Sequence, residues 1–514
     1  MRHHRNHDRL SGIDTAFLYL EREGVPMHIA GVSELEGIVS FEECVRFVES
    51  KIPQIPRYRQ RVVAPLFNIG RPVWEFDPEF NVRNHIREVT LKRGSESEFK
   101  AFAGEFLSTL MDRRRPLWDI TLVRGLKGNR TGFITRVHHS LADGVSGVDL
   151  MNVVLSAEPA DAPNRKARRF RVPPPRDPWT AIVDDWMNSY SNIVQQALST
   201  QADILKFAER IVSGRAVAQS DGLTNLLLEV ASPTEPMHFN TTVRGPQQVA
   251  WLKVPLADIR ALKEACACSV NDVALTLVTM TIRRYSQLHG DETKGRLLRI
   301  MVPVNLREED GRGKLGNQIS IMPVTIPLDV QNPRKLLAAV HQRTEFLKKS
   351  YIAELATLAG GLLGFLPPAL QALAGPIATQ LPITPFNLVC TNVPGPQVPL
   401  YMMRHKMLTW YPYVPIGGDM ALNVAVLSYN GMVYFGFSGD VHAAPGLAQL
   451  EKFLAVSVRE LQSAAGSRPR RKEAGAKQPK RAVSAPKAQT IAAAAPAPEP
   501  KPVSKEERVI AAVA

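Results

Sequence analysis

The sequence predicts a mixed α/β protein made of two strand-and-helix regions, and three observations carry that prediction. Residues from Leu10 to Leu155 mix helical and strand-like patterns, with an apolar alternation that ends at GFITRVHH (Gly132–His139). A break rich in Pro, Arg and Ala follows, from Ala157 to Trp179, and cannot bury much surface. Beyond Pro236 the strand signals return, at RLLRIMVPVNL (296–306), ISIMPVTIPL (319–328) and GMVYFGFSGD (431–440). The division expected is an N-terminal lobe over 1–156, a crossover and helical connection over 157–235, a C-terminal lobe over 236–465 and a tail over 466–514.

The elements follow in order. MRHHRNHDRLSG is polar and lacks the apolar core of a signal peptide, so a cytoplasmic protein is expected. His3, His4 and His7 read as a solvated terminus or a weak chelator. SFEECVRFVESKI has helical spacing, with Ser40 as N-cap and Glu43 three residues on. The crossover leads into amphipathic patterns over 181–212. From Leu355 to Met403 there is no Asp, Glu, Lys or Arg. Prolines including Pro367, Pro368, Pro376, Pro382 and Pro385, with Gly360–Gly361, interrupt that stretch and speak against one spanning helix. It reads either as short apolar helices against lipid or as a buried helix pair. The last 49 residues are rich in Ala, Pro and Lys and lack the side chains needed to offset chain entropy, so a disordered basic tail is expected.

Composition narrows the function classes. At 45% hydrophobic and 22% charged, the 514-residue chain can bury a substantial core. Cys44, Cys266, Cys268 and Cys390 form no CxxC pair, which speaks against a zinc ribbon or dithiol site and fits a reducing compartment. Net charge is +14, and from Gly466 onward 11 Lys/Arg stand against 4 Asp/Glu. No arginine-rich recognition helix or stacked aromatic pattern accompanies that charge, so nucleic acid is not expected as a partner. Anionic lipid and polyphosphate ligands are left.

The sharpest motif is HHSLADG, His138 to Gly144. Acyl transfer to an alcohol needs a base that titrates near neutrality to take the hydroxyl proton, and imidazole is suited to that. A histidine at a strand end before a tight Asp-Gly turn is held rigidly. Against this stand a metal pair, which the opposed directions of adjacent strand side chains disfavour, and a buried structural histidine. No GxSxG elbow is present, which argues against a serine hydrolase. Asn271 and Asp272 open the apolar run NDVALTLV, where Asn271 reads as a helix N-cap or a substrate donor and Asp272 suits the helix dipole. In PLWD (116–119), Pro116 and Trp118 read as packing residues beside the catalytic strand. TNVPGP (391–396) reads as a rigid loop, or as a turn whose Gly395 lets backbone approach a ligand. Arg307 could meet either phosphates or an internal carboxylate.

HHSLADG resembles the HHxxxDG signature of the coenzyme A-dependent acyltransferase superfamily. More narrowly, the chain resembles the bacterial wax ester synthase/diacylglycerol acyltransferase family across most of residues 10–440. The matching segments are IDTAFLYLERE with PMHIAG (Ile13–Gly31), PLWD, VNDVALTLV (270–278), VPVNLR (302–307), GNQIS (316–320), TNVPGP and SYNGMVYFGFSGD (428–440). The tail lies outside the resemblance. It implies two chloramphenicol-acetyltransferase-like lobes, each a mixed sheet with flanking helices, and a catalytic tunnel between them. It implies His139 as general base, His138 and Gly144 shaping the loop, Asp143 as its structural ion-pair partner, and Asn271 and Asp272 near substrate. No cofactor or metal is implied. Acyl-CoA is the co-substrate, diacylglycerol or a fatty alcohol the acceptor, and a membrane or lipid-droplet surface the place of action. A different acceptor, such as a hydroxylated natural product or an amine, and a non-enzymatic lipid carrier are the rival readings.

Overall fold

The computed structural model describes residues 9–65, 71–141, 151, 153–160, 234–305, 319–349 and 385–466. Asp143, Gly144, Arg307, the early histidines, 161–233, 351–384 and the tail from 467 lie outside the described residues.

Two mixed six-stranded sheets form the frame, as expected. In the first, β1 (His28–Glu36) lies antiparallel to the central strand, and a separate pair, β2 (Gln60–Val63) with β3 (Val73–Phe76), stands apart from it. β4 (Ile86–Thr90) runs parallel to β5 (Trp118–Leu126), and β5 turns back antiparallel into β6 (Arg130–His138). The β6 side chains are buried from Thr131 to His138, so both faces of the strand that leads into HHSLADG are covered.

The second sheet holds β7 (Gln247–Pro255), β8 (Leu297–Asn305), β9 (Ile319–Pro327), β10 (Leu388–Pro394), β13 (Leu422–Tyr429) and β14 (Met432–Asp440), in the order β7-β14-β13-β10-β8-β9. The strands expected at 296–306, 319–328 and 431–440 are β8, β9 and β14. Two C-terminal strands leave this sheet for the other: β11 (Tyr401–Met402) and β12 (His405–Tyr413) complete the first sheet in the order β11-β12-β1-β6-β5-β4. Residues 401–413 thus pair outside the lobe to which their position in sequence assigned them. The cause is packing. Burial alternates strictly along β12, its inward Met407, Tyr411 and Tyr413 join the first core, and its backbone covers what would otherwise be the open edge of β1. A Cβ on Gly436 of β14 would lie 1.9 Å from the Pro412 carbonyl oxygen, so only glycine lets β12 and the second sheet approach this closely.

Helices cover the sheets. α1 (Gly12–Leu20) is capped by Ser11, whose hydroxyl accepts from the Asp14 N–H. α2 (Phe41–Lys51) begins at Ser40 as expected, with the Glu43 N–H 3.5 Å from the Ser40 hydroxyl. α3 (Glu96–Leu107) packs Phe99, Phe106 and Leu107 into the first core. α4 (Leu256–Cys266) precedes α5 (Val270–Leu288), which is buried along most of its length in the second core. α6 (Pro333–Lys349) and α7 (Gln449–Ala464) complete the described set.

Candidate active site

β6 and the residues around its end build the site. The register sets His28 of β1 opposite His138. The His138 N–H still bonds to the Leu117 carbonyl (2.9 Å), the His139 N–H reaches back to the Met27 carbonyl (2.8 Å), and the Leu141 N–H closes onto the His138 carbonyl (2.9 Å). The chain therefore leaves the sheet at His138 with the next peptide still anchored to Met27, the residue before β1.

The two signature rings take separate partners, so they do not act as a chelating pair. His138 is wholly buried. Its Nδ1 faces the Ser140 N–H (3.1 Å) and hydroxyl (2.7 Å), and its Nε2 lies 3.2 Å from Oε2 of Glu21. His139 is partly buried and stacks on Phe17, with ring centroids 3.8 Å apart and planes inclined by 17°. Its Nδ1 is buried with no hydrogen-bond partner among the described residues. Burial pushes the His139 imidazole down to about 4, below the near-neutral range expected for the base, so at neutral pH the ring is unprotonated.

Glu21 is the residue that sequence reasoning missed. Its carboxylate is 1% exposed, accepts the Met27 N–H (3.0 Å) and faces the Arg113 guanidinium at 3.0 Å. Burial alone would raise this carboxyl. The hydrogen bonds from His138 and Met27 and the charge of Arg113 outweigh it and hold the group near 2. The available signal lay in IDTAFLYLERE, where Phe17 and Glu21 stand four residues apart and share one side of a helix.

PLWD proves to be a packing and charge-pairing segment. Trp118 is buried, donates from Nε1 to the Tyr58 carbonyl (2.7 Å) and stacks on His85 (4.5 Å). Asp119 pairs across the sheet with Arg136 of β6, through Nε–Oδ1 (2.9 Å) and Nη2–Oδ2 (2.6 Å). The remaining Arg136 donor, Nη1, bonds to the Phe106 and Thr109 carbonyls and the Thr109 hydroxyl.

The second pair of sequence candidates sits at the start of α5, and here the expectation needs correcting. Ser269, not Asn271, is the N-cap, in a capping box with Asp272. The Asp272 carboxylate is fully buried and engaged by protein: it accepts the Ser269 N–H (2.8 Å) and the Thr344 hydroxyl (2.6 Å), and lies 2.8 Å from His341 Nδ1. These contacts join α5 to α6 and account for Asp272 without a substrate. Asn271 remains partly exposed and accepts from Asn392 Nδ2 (3.1 Å), which brings VNDVALTLV and TNVPGP together. The glycine of that loop serves the sheet, because a Cβ on Gly395 would lie 2.4 Å from the Ser428 carbonyl oxygen. Replacing Asp272 by Ala removes the acceptor of the Ser269 N–H and one acceptor of the Thr344 hydroxyl and is expected to lower stability by roughly 1–3 kcal/mol. KM for both substrates in the folded fraction should change no more than ~2-fold. Thermal melts and steady-state kinetics on one preparation check both.

Buried imidazoles also set a pH dependence. The His139 imidazole, ordinarily near 6.5, stays unprotonated down to about 4, and burial aided by Arg136 holds His28 well below its usual range as well. Between pH 6.5 and 4 the unfolded chain binds protons that the folded one refuses. Stability is therefore expected to fall with pH across that window, by about 1.4 kcal/mol per pH unit for each such group. Unfolding midpoints recorded from pH 7.5 to 4.5 check this, and a flat profile would refute the burial of these rings.

A cavity of about 690 Å³ opens among His238, Asn240, Arg244, His289 and His442, and neither signature histidine is among its described lining residues. Its lining residue Ala443 packs against the small apolar cluster of Val25, Met27, Val243, Ile416 and Ala421, as does Phe17, the ring under His139.

Comparison with known proteins agrees with this architecture. The wax ester synthase/diacylglycerol acyltransferase catalytic domain matches residues 10–274, and the C-terminal domain of the same family matches residues 315–462. A protein of Mycobacterium tuberculosis named as a probable diacylglycerol O-acyltransferase is 30% identical over 465 residues, covering 88% of this chain and 98% of its own length. A second so named from the same organism is 27% identical, covering 88% and 96%. The solved wax ester synthase/diacylglycerol acyltransferase of Marinobacter aquaeolei VT8 superposes with a TM-score of 0.60 at 26% identity, over 89% of this chain and all of that one. The first condensation domain of the calcium-dependent antibiotic synthetase shares the fold at 15% identity, with a TM-score of 0.50 over 89% and 96%. The chain belongs to the wax ester synthase/diacylglycerol acyltransferase family and is an acyl-CoA-dependent O-acyltransferase.

Proposed function

We propose that the chain transfers a long-chain fatty acyl group from acyl-CoA to diacylglycerol, giving triacylglycerol, and to long-chain alcohols, giving wax esters, with His139 as general base. The observation that carries this reading is the state of the His139 ring. It directly follows β6, stacks on Phe17 and is unprotonated at neutral pH. A base must be in that state before it can take a proton.

The reaction balances without a covalent enzyme intermediate. The acceptor oxygen attacks the thioester carbonyl carbon as its proton passes to His139. The tetrahedral intermediate collapses by breaking the C–S bond, and the coenzyme A thiolate, whose thiol titrates near 8.5, recovers the proton from the imidazolium. Asp143 and Gly144 would shape the turn after the signature, and His138 would hold its start. Asn271 is the polar group at the start of α5 that a substrate could use, since Asp272 is engaged by protein.

The acceptors follow from what the relatives are named for, and the place of action from charge and hydropathy. Net charge of +14 and the uncharged run 355–403 favour a peripheral stay on an anionic membrane or lipid inclusion, reached from the cytoplasm. Among the described residues no single helix is long and apolar enough to cross a membrane, and α4 with α5 reaches the length only as a pair bent by 102°.

Radiolabelled palmitoyl-CoA offered with diacylglycerol, hexadecanol or an alkylamine, with products separated by thin-layer chromatography, tests the reading. Labelled triacylglycerol or wax ester is expected. Labelled amide alone would reject the O-acyl assignment, and binding without thiol release would mark a lipid carrier.

A further inference from the structure

Neighbouring side chains on one side of α1 and its C-cap reach one signature histidine each. Phe17 lies under the ring of His139, and Glu21, the C-cap residue, faces Nε2 of His138. Glu21 also reaches His139 by a second route: its Oε2 accepts the Met27 N–H, and the carbonyl of the same Met27 accepts the His139 N–H. One buried carboxylate is therefore linked to both histidines, to one through the ring and to the other through the backbone.

We propose that Glu21 is a positioning residue for acyl transfer, which fixes the ring of His138 and the peptide that carries His139. The proposal rests on the acyl-transfer reading above. A backbone N–H can only donate, so the 3.1 Å contact from Ser140 makes His138 Nδ1 an acceptor. The ring proton then sits on Nε2, whose charged neighbour is the Glu21 carboxylate 3.2 Å away. Arg113 completes the arrangement, binding Oε1 of Glu21 while its Nη2 also donates to the Leu18 carbonyl (2.6 Å), which keeps the carboxylate against α1. With Glu21 in place, His138 has one tautomer and the loop that starts at His139 has one point of departure.

Glu21→Gln tests this on the full chain. The amide offers one oxygen and one NH2 group to donors from Met27, His138 and Arg113, so at least one of them loses its acceptor. Turnover in ester formation is expected to fall roughly 10- to 30-fold, the range for a buried charge-assisted hydrogen bond. KM for palmitoyl-CoA and hexadecanol should stay within ~3-fold. His138→Asn keeps an acceptor where Nδ1 stood and removes the Nε2 donor. Because Glu21 acts in part through His138, the double variant should lose less turnover than the product of the two single losses. Nitrogen-15 spectra of labelled histidine should also show the Nε2–H form of His138 in the wild type and a displaced Nε2 resonance in Glu21→Gln, which a role limited to the Arg113 ion pair would not produce.

Should Glu21→Gln not fold, Glu21→Asp keeps the charge but withdraws it by one methylene, and the same turnover loss is expected. Glu21→Gln turning over within ~2-fold of wild type, or losses that multiply in the double variant, would overturn the proposal. A wild type that forms no ester overturns the acyl-transfer reading itself. An active wild type with an unaffected Glu21 variant overturns this inference alone.

Discussion

Replacing Asp119 by Ala is expected to lower the stability of the protein by about 3–5 kcal/mol. The guanidinium it leaves behind is 1% exposed, stands over the Phe106 ring at 3.8 Å and is held on the central strand. Two of its nitrogens bond to Asp119 and the third to main-chain and hydroxyl oxygens, so the charge is satisfied only while Asp119 is present. Arg87 approaches the same carboxylate at 3.4 Å from the exposed side and cannot take its place, being itself a cation. Removing both charges is a different matter. Asp119→Leu with Arg136→Met should recover much of the loss, because an apolar pair of similar volume needs no counter-charge. Thermal and urea midpoints of the single and double variants check this. A loss below ~1 kcal/mol for Asp119→Ala would mean that the pair is not buried as described.

Much of this frame was legible in the sequence, wherever a local pattern decides the outcome. β8, β9 and β14 announce themselves as β-branched and aromatic runs of strand length. Ser40 and Glu43 mark the start of α2, and the run into His138 reads as a strand ending in a loop. What stayed hidden depends on long-range pairing. Nothing in HKMLTWYPY says that β12 will cross to the other sheet, since period-2 burial fits either edge. Asp119 and Arg136 resemble ordinary polar positions until the register of β5 and β6 sets them opposite each other. Asn271 was read as a cap although Ser269-Val-Asn-Asp272 already had capping-box spacing two residues earlier. The histidines were found by motif, whereas Glu21, Ser140 and Phe17 became visible only when α1 and the end of β6 were brought together in space.

The loss expected on replacing His139 by Ala is about 100-fold or more in turnover. The ring occupies the end of a strand whose peptide is tied to Met27, rests on Phe17 and leaves Nδ1 with no described partner. Truncation removes a ring from a partly buried position, so the fold should survive while the proton acceptor is gone, and the loss should appear in kcat rather than in KM. The measurement is release of free coenzyme A thiol from palmitoyl-CoA in the presence of hexadecanol, for wild type and His139→Ala side by side, with circular dichroism on the same samples. The expected result is a wild type that releases thiol as wax ester accumulates and a folded variant slowed by about 100-fold or more. A folded His139→Ala protein that keeps pace with the wild type would contradict the assignment of His139 as the base.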